Sequence, residues 1–330
     1  MRHSSDSEPG ITRQRKGRAW AYFTPAGKRI TKREEIDRLN AVGLAPAYSD
    51  AWFCTDPEGH LQATGVDARG RKQYRYHPDF SAKRSASKFD GLKEFGKGLP
   101  KLRRRVEKDL RRRKTTRETV LAAVIRLLDM EHIRVGNEQY ARDNKSFGAT
   151  TLRSRHLSRK GGRMHMRFAG KHGIIHDVTL TDSHLKRVVR KCQELPGQML
   201  FQYVNGDGEP QPVTSSDVND YIKETMGGEY TAKHFRTWGA SVIAMNEMLK
   251  KAENARITVK TVIEPVAEAL GNTEAMSRKS YVHPRLIDAV KDDPRDPLGG
   301  MDRPRARAQL SSAEVALIQY LSKRRRRRKP

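Results

Sequence analysis

Leu270-Gly271-Asn272-Thr273-Glu274-Ala275-Met276-Ser277-Arg278-Lys279-Ser280-Tyr281-Val282-His283-Pro284 joins two helices and sets a tyrosine among cations. Gly271 follows the apolar run Val262, Ile263, Val266 and Leu270, so it reads as the glycine just past a helix C-terminus. Asn272 or Thr273 then caps the next helix. The spacing predicts Tyr281 two turns into that second helix, with Arg278 and Lys279 just before it and Pro284 limiting its continuation. A free tyrosine has a pKa of about 10, so about one in a thousand is phenolate at pH 7. Nearby cations favour the ionised, nucleophilic form. A half-buried packing residue with its hydroxyl at water fits the same residue, and the stretch alone does not separate the two.

The composition narrows the partner. Of 330 residues, 36% are apolar and 32% charged, enough for a core beneath a heavily charged surface. The net charge is +27, of which the terminal run 323–329 supplies seven, and an excess on that scale points to a polyanion, most simply nucleic acid. Charge selects a partner class and not an activity. Cys54 and Cys192 are far apart and outside any CxxC, which excludes a thiolate metal cluster or disulfide scaffold and fits a reducing cytosol. No apolar run approaches the roughly 18 residues of a membrane span, and no signal-peptide core is present, so a soluble, cytoplasmic protein is expected.

Along the chain, residues 1–17 are polar and are expected to be disordered. Strands follow at Trp20, Tyr22 and Phe23, at 51–55, at 60–66 and at 71–77, with Asp56-Pro57-Glu58-Gly59 a type I turn between two of them. A small β-rich domain over 18–84 results. Its last strand has almost no aliphatic residue: Lys72, Tyr74 and Tyr76 share one side, and Arg71, Gln73, Arg75 and His77 the other. Such a strand suits phosphate contact by Arg or Lys and base-edge contact by Gln or Arg in a major groove. An edge strand guarded by lysine against aggregation fits the pattern equally.

From about 85 the pattern is helical. Residues 99–114 carry nine basic side chains, which read as a solvated helix face. Val120, Val124, Leu127 and Leu128 mark a buried helix ending before Arg134 and Gly136, and a cation there complements the helix dipole. Over 153–180 the period becomes two. Met164, Met166 and Phe168 alternate with His165 and Arg167, the Ala169-Gly170-Lys171-His172-Gly173 turn follows, and a small antiparallel sheet with Lys171 at a hairpin tip is predicted. His172 and His176 lie four apart in β structure, so they form no helical metal pair. Helices return at 182–194, 216–226 and 231–251. In the last, Trp238, Val242, Met245 and Leu249 form the core stripe, and the helical wheel turns Arg236 away from it, as for a solvated arginine. Residues 85–291 make the larger domain. The segment 292–330 reads as a Pro- and Gly-rich linker, a short helix near 313–321 and a poly-Arg tail.

Ile133-Arg134-Val135-Gly136-Asn137-Glu138, with Tyr140, Ala141, Asn144, Gly148, Thr150, Thr151 and Leu152, resembles the signature of type IB DNA topoisomerases, in the small poxvirus-like form found in bacteria. Arg167-Phe168-Ala169-Gly170-Lys171, Lys233-His234-Phe235-Arg236-Thr237-Trp238-Gly239 and the tyrosine segment then match in order, and the strand from Arg69 to His77 resembles the family's DNA-facing N-terminal strand. The likeness spans about four-fifths of the chain.

The resemblance implies an α+β fold, with a small β-rich N-terminal domain and a larger, mostly helical catalytic domain holding a small antiparallel sheet. It also implies roles. Tyr281 would attack a DNA phosphodiester to give a 3′-phosphotyrosyl link, Arg134 and Arg236 would bind the non-bridging oxygens, and Lys171 would protonate the departing 5′-oxygen, together with Arg134. Many family members have histidine where this chain has Asn272. An asparagine NH₂ still donates to a phosphate oxygen but does not titrate, so an oxyanion-binding role survives there and a general-acid role does not. Arg71, Lys72, Gln73, Tyr74 and Tyr76 would contact double-stranded DNA, gripped by a monomeric clamp in the nucleoid. No GxxxxGK[ST] and no DxD pair is present, and the implied transesterification calls for no ATP, metal or other cofactor. Two rivals remain at this stage. A tyrosine recombinase shares the core, but its second arginine sits in an HxxR box, and here the residue three before Arg236 is Lys233. A non-catalytic DNA-compaction protein would use only the basic surface.

Overall fold

A computed structural model describes residues 1–17, 19–250 and 256–323. The poly-Arg run lies outside the described residues. The chain divides into two compact units, 1–88 and 89–330. Among the described residues no helix is long and apolar enough to cross a membrane.

The first unit is a five-stranded antiparallel sheet in the order β2-β1-β3-β4-β5, built from β1 (Ile11–Lys16), β2 (Ala19–Phe23), β3 (Ser49–Phe53), β4 (Leu61–Val66) and β5 (Lys72–Tyr76). Helix α1 (Arg33–Ala41) contributes Leu39 to a core with Ile11, Tyr22, Leu44, Phe53 and Ala63, and α2 (Pro78–Ser87) closes the unit. Strand β1 corrects the expectation of a disordered N-terminus. Its sequence is polar, yet it is paired on both edges, Ile11 is buried, and the Arg13 guanidinium donates to the carbonyls of Leu44 (2.9 Å) and Tyr48 (3.3 Å) while lying 4.1 Å from the Trp20 ring. Ladder bonds and one arginine order this segment, and neither leaves a hydrophobic period. The predicted turn closes through Gly59 N–H to the Asp56 carbonyl at 3.1 Å.

The second unit is mostly helical: α3 (Leu92–Leu110), α4 (Arg117–Glu131), α5 (Glu138–Asn144), then the three-stranded sheet β6 (Leu157–Lys160), β7 (Arg163–Ala169), β8 (Ile175–Leu180). After it come α6 (Ser183–Gln193), the hairpin β9 (Gln202–Val204) and β10 (Pro210–Pro212), and α7 (Ser215–Met226), α8 (Lys233–Leu249), α9 (Val259–Leu270), α10 (Glu274–Ser280), α11 (Pro284–Asp292) and α12 (Ser312–Ser322). The basic helix α3 is not a free charged face. Leu99, Leu102, Val106 and Leu110 are buried, and fully buried Asp109 accepts from Tyr221 Oη at 2.7 Å and Arg105 Nε at 2.9 Å.

Helix α8 is central. It packs on α3, α4, α9, α11 and α12, and its residues from Phe235 to Ser241 are all buried. The core therefore continues past the larger domain expected over 85–291. Helix α12 seats Glu314 beneath α8, where it accepts from Trp238 Nε1 at 3.0 Å and from Arg103 Nη2 at 2.7 Å. The same Arg103 grips Asp129 of α4 at 2.7 and 2.8 Å, so one guanidinium ties three helices together.

Candidate active site

Helix α4 ends with His132 in the left-handed region (φ 50°), its N–H on the Leu128 carbonyl at 3.1 Å. The chain then runs extended past buried Ile133. The carbonyls of Arg134 and Val135 accept from the N–H groups of Ala149 (2.8 Å) and Thr150 (2.7 Å), and Thr150 Oγ1 adds a second bond to Val135 at 2.9 Å. These bonds, which pin the backbone that carries Arg134, account for Thr150 of the motif; Gly148 is needed because a Cβ there would lie 2.5 Å from the Arg134 carbonyl, and Thr151 Oγ1 holds the Gly148 N–H at 2.9 Å.

Helix α9 ends as the sequence predicts, with Gly271 at φ 57° and its N–H on Ala267 and Glu268 carbonyls, and the Asn272 N–H returns to Ala267 at 3.0 Å. Of the two capping candidates, Thr273 is the cap, accepting from Met276 N–H. Asn272 is left for the site. Its Oδ1 accepts from Arg134 Nη2 at 3.2 Å, and since a guanidinium only donates, the NH₂ must face away from it. That buried Nδ2 has no hydrogen-bond partner within the protein.

Helix α10 stops at Ser280, short of the Tyr281 that the spacing places within it. Tyr281 is its C-cap, at φ −128°, with its N–H on the Ser277 carbonyl at 3.0 Å; Val282 N–H shares that carbonyl, and Pro284 opens α11. The tyrosine thus sits on a bend, half-buried, rather than on a helix face. Buried Ser241 of α8 holds the bend: its Oγ accepts from His283 N–H at 3.0 Å and lies 3.5 Å from the Tyr281 carbonyl. Nothing in the sequence marked Ser241 for this.

Arg236 is the largest departure from the helical-wheel reading. It is 4% exposed, not solvated. Its Nη1 donates to the His132 carbonyl and its Nη2 to the Leu270 carbonyl at 3.0 Å, the C-terminal ends of α4 and α9, where the helix dipoles are negative. Its guanidinium carbon lies 5.1 Å from the centroid of the Tyr281 ring, and its buried Nε has no partner within the protein. Burial and the Arg134 charge push its pKa down to about 10, against the opposing pull of Tyr281, so it remains a cation at neutral pH.

Arg134, Asn272, Arg236 and Tyr281 therefore converge, two cations and two unpartnered buried N–H donors beside a phenol. Lys171 is not in this contact set. It stands exposed at the tip of the β7–β8 hairpin, its Nζ 6.0 Å from the Tyr140 ring centroid. His176 of β8, which the sequence offered only as a metal ligand to be dismissed, is half-buried, its pKa lowered by burial and then by Arg236 and Arg134. No group of three or more His, Cys, Asp or Glu among the described residues is arranged to hold a metal ion. Chemically, the cluster suits an oxyanion beside an oxygen nucleophile.

In the first unit, β5 is one of the two edge strands. Tyr74 and Tyr76 are 49% and 39% exposed, and their rings lie nearly parallel (12°) with centroids 6.2 Å apart. Lys72 pairs with Asp6. Asp67 takes Arg71 at 2.8 Å and Gln73 Nε2 at 2.9 Å, and Arg71 above all holds its carboxyl down at about 2.

Residues 77–293 match the family model described as eukaryotic DNA topoisomerase I, catalytic core, and residues 19–67 the one described as bacterial DNA topoisomerase IB, N-terminal domain. The DNA topoisomerase 1B of Acanthamoeba polyphaga mimivirus is 31% identical over 297 residues, covering 86% of this chain and 88% of that protein. The DNA topoisomerase 1B of Vaccinia virus (strain Copenhagen) is 22% identical over 250 residues, 74% of this chain and 76% of its own. A crystal structure of the XerH site-specific recombinase bound to difH substrate is similar over 58% of this chain and 52% of its own, at 15% identity and a TM-score of 0.38, too loose a likeness to carry an argument. With both units matched by their own family models and a relative alike along nearly its full length, the chain belongs to the type IB DNA topoisomerases, isomerases whose substrate is DNA.

Proposed function

We propose that this enzyme relaxes positive and negative supercoils by cutting one strand transiently through a 3′-phosphotyrosyl link to Tyr281, with no ATP or metal in the reaction. The observation that carries the reading is the gathering of Arg134, Arg236 and Asn272 around Tyr281, with Asn272 Nδ2 and Arg236 Nε unsatisfied in a buried setting. Orphaned buried donors are costly, and a phosphate oxygen satisfies them.

The Tyr281 oxygen attacks phosphorus and gives up its proton, and the bond to the 5′-oxygen breaks. Arg134, Arg236 and the Asn272 amide stabilise the charge that grows on the non-bridging oxygens. Lys171, together with Arg134, protonates the departing 5′-oxygen. One ester replaces another, so after the helix swivels the 5′-hydroxyl reverses the reaction. The exposed Tyr74 and Tyr76, with Arg71, Lys72 and Gln73, contact the duplex from β5. The enzyme works as a monomeric clamp in the nucleoid.

The test is SDS trapping on supercoiled plasmid in EDTA. Wild type relaxes the plasmid and leaves a covalent adduct, whereas Tyr281→Phe binds duplex with unchanged affinity and gives neither. A Tyr281→Phe variant that still relaxes plasmid would overturn the assignment.

A further inference from the structure

Lys171 is exposed and outside the contact set around Tyr281, so something must fix where its hairpin rests. Two side chains of this hairpin, Ile174 and His176, come against the turn after α9. His176 pairs across the ladder with Phe168, and the two rings stack with centroids 5.1 Å apart and planes 18° apart. At the root of the hairpin, Gly170 donates to the Ile174 carbonyl at 2.7 Å. A methyl group at Gly170 would lie only 2.7 Å from His176 Cδ2 and Nε2, so the imidazole occupies the space a side chain there would need. The other edge of the ring faces the turn after α9. A methyl at Gly271 would meet His176 Cε1 at 3.4 Å and Ile174 Cγ2 at 3.0 Å. Gly271 directly precedes Asn272, which holds Arg134.

We propose that His176 is a positioning residue for Lys171: its imidazole, stacked on Phe168 and wedged between Gly170 and Gly271, sets the hairpin against the Asn272 turn so that the lysine reaches the departing 5′-oxygen. The inference rests on the general-acid role given to Lys171 above. Reach matters because a misplacement of about 1 Å costs on the order of 10²-fold in rate. Burial, then the charges that face the ring, Arg236 of α8 and Arg134 of the loop after α4, lower its pKa and favour the neutral imidazole. A neutral wedge adds no third cation to compete with Lys171 for the same oxygen.

The experiment uses single-turnover cleavage of a duplex oligonucleotide spanning a cleavage site mapped from trapped plasmid. It is made once with the normal 5′-oxygen and once with sulfur bridging at that position. A thiolate leaves without needing a proton, so sulfur removes the need for a general acid. On the oxygen substrate His176→Ala should be slowed about 10- to 100-fold, part of the roughly 10²–10⁴ that a general acid supplies. On the sulfur substrate it should come within about threefold of wild type, as should Lys171→Ala. Gly170→Ala, which pushes the ring aside, should behave like His176→Ala, and the double variant should be no slower than His176→Ala alone. Oxygen cleavage by His176→Ala at the wild-type rate overturns the proposal, as does equal slowing on both substrates or full additivity with Gly170→Ala. If Lys171→Ala itself is not restored by sulfur, the general-acid assignment fails and the His176 proposal falls with it. If Lys171→Ala is restored and His176→Ala is not, the fault lies with His176 alone.

Discussion

Replacing Arg236 by lysine keeps a formal charge and removes the geometry, so it separates the two. Arg236 is 4% exposed and spends both terminal nitrogens on carbonyls that end helices, those of His132 and Leu270. A lysine ammonium at that depth meets one of them at a time. The carbonyl left unpaired costs about 1–3 kcal/mol, which for a unit of this size lowers the melting temperature by roughly 2–12 °C. The chemistry loses more. Without the planar fork, transition-state charge on the phosphate goes partly unmatched, and single-turnover cleavage should fall by at least about 10²-fold. The pH profile gives an independent check. The site pushes the guanidinium down to about 10. An ammonium begins about two units lower, and the same burial and Arg134 charge lower it further. Residual cleavage by Arg236→Lys should therefore decline at a lower pH than wild-type cleavage does, while the wild-type guanidinium is still charged. Covalent adduct formed under SDS quench, at a temperature where both proteins are folded, reads the rate. A lysine variant that cleaves within about threefold of wild type and melts at the same temperature would refute the bridging role.

Two further perturbations test the frame around the site. His283 caps α11 by accepting from Arg285 N–H at 3.2 Å, and burial, then Arg285, push its pKa down to about 4. An unfolded imidazole titrates near 6.5, so on acidification the unfolded chain takes up this proton first; stability present above about pH 6.5 is lost towards pH 4, by up to about 3 kcal/mol. His283→Asn keeps a capping oxygen that does not titrate, and its melting temperature should fall less steeply over that window; parallel wild-type and variant curves would count against the assignment. Glu314→Ala leaves the Trp238 indole N–H and part of the Arg103 fork unpaired beneath α8, and should cost about 3–5 kcal/mol in urea unfolding with little change in slope. A loss below about 1 kcal/mol would mean that α12 is not integral to the second unit.

What the sequence by itself determined is local and ordered along the chain. Spacing and turn chemistry located four of the five strands of the first unit, the buried helix before Arg134, the period-two sheet with Lys171 at its tip, and Gly271 as a helix end, because each depends on neighbours a few residues away. The motif set, read in order, gave the family before any coordinates. Tertiary structure decided the rest. Arg134 meets Asn272 across 138 residues, Arg103 meets Glu314 across 211, and Arg13 orders a polar strand through carbonyls more than 30 residues away, contacts that leave no periodic trace. A helical wheel placed Arg236 in solvent because it assumes one buried face; α8 is surrounded by five helices, so its polar side is interior too. Likewise Tyr281 closes a helix instead of lying within it, since a serine on another helix and a proline three residues on fix the bend.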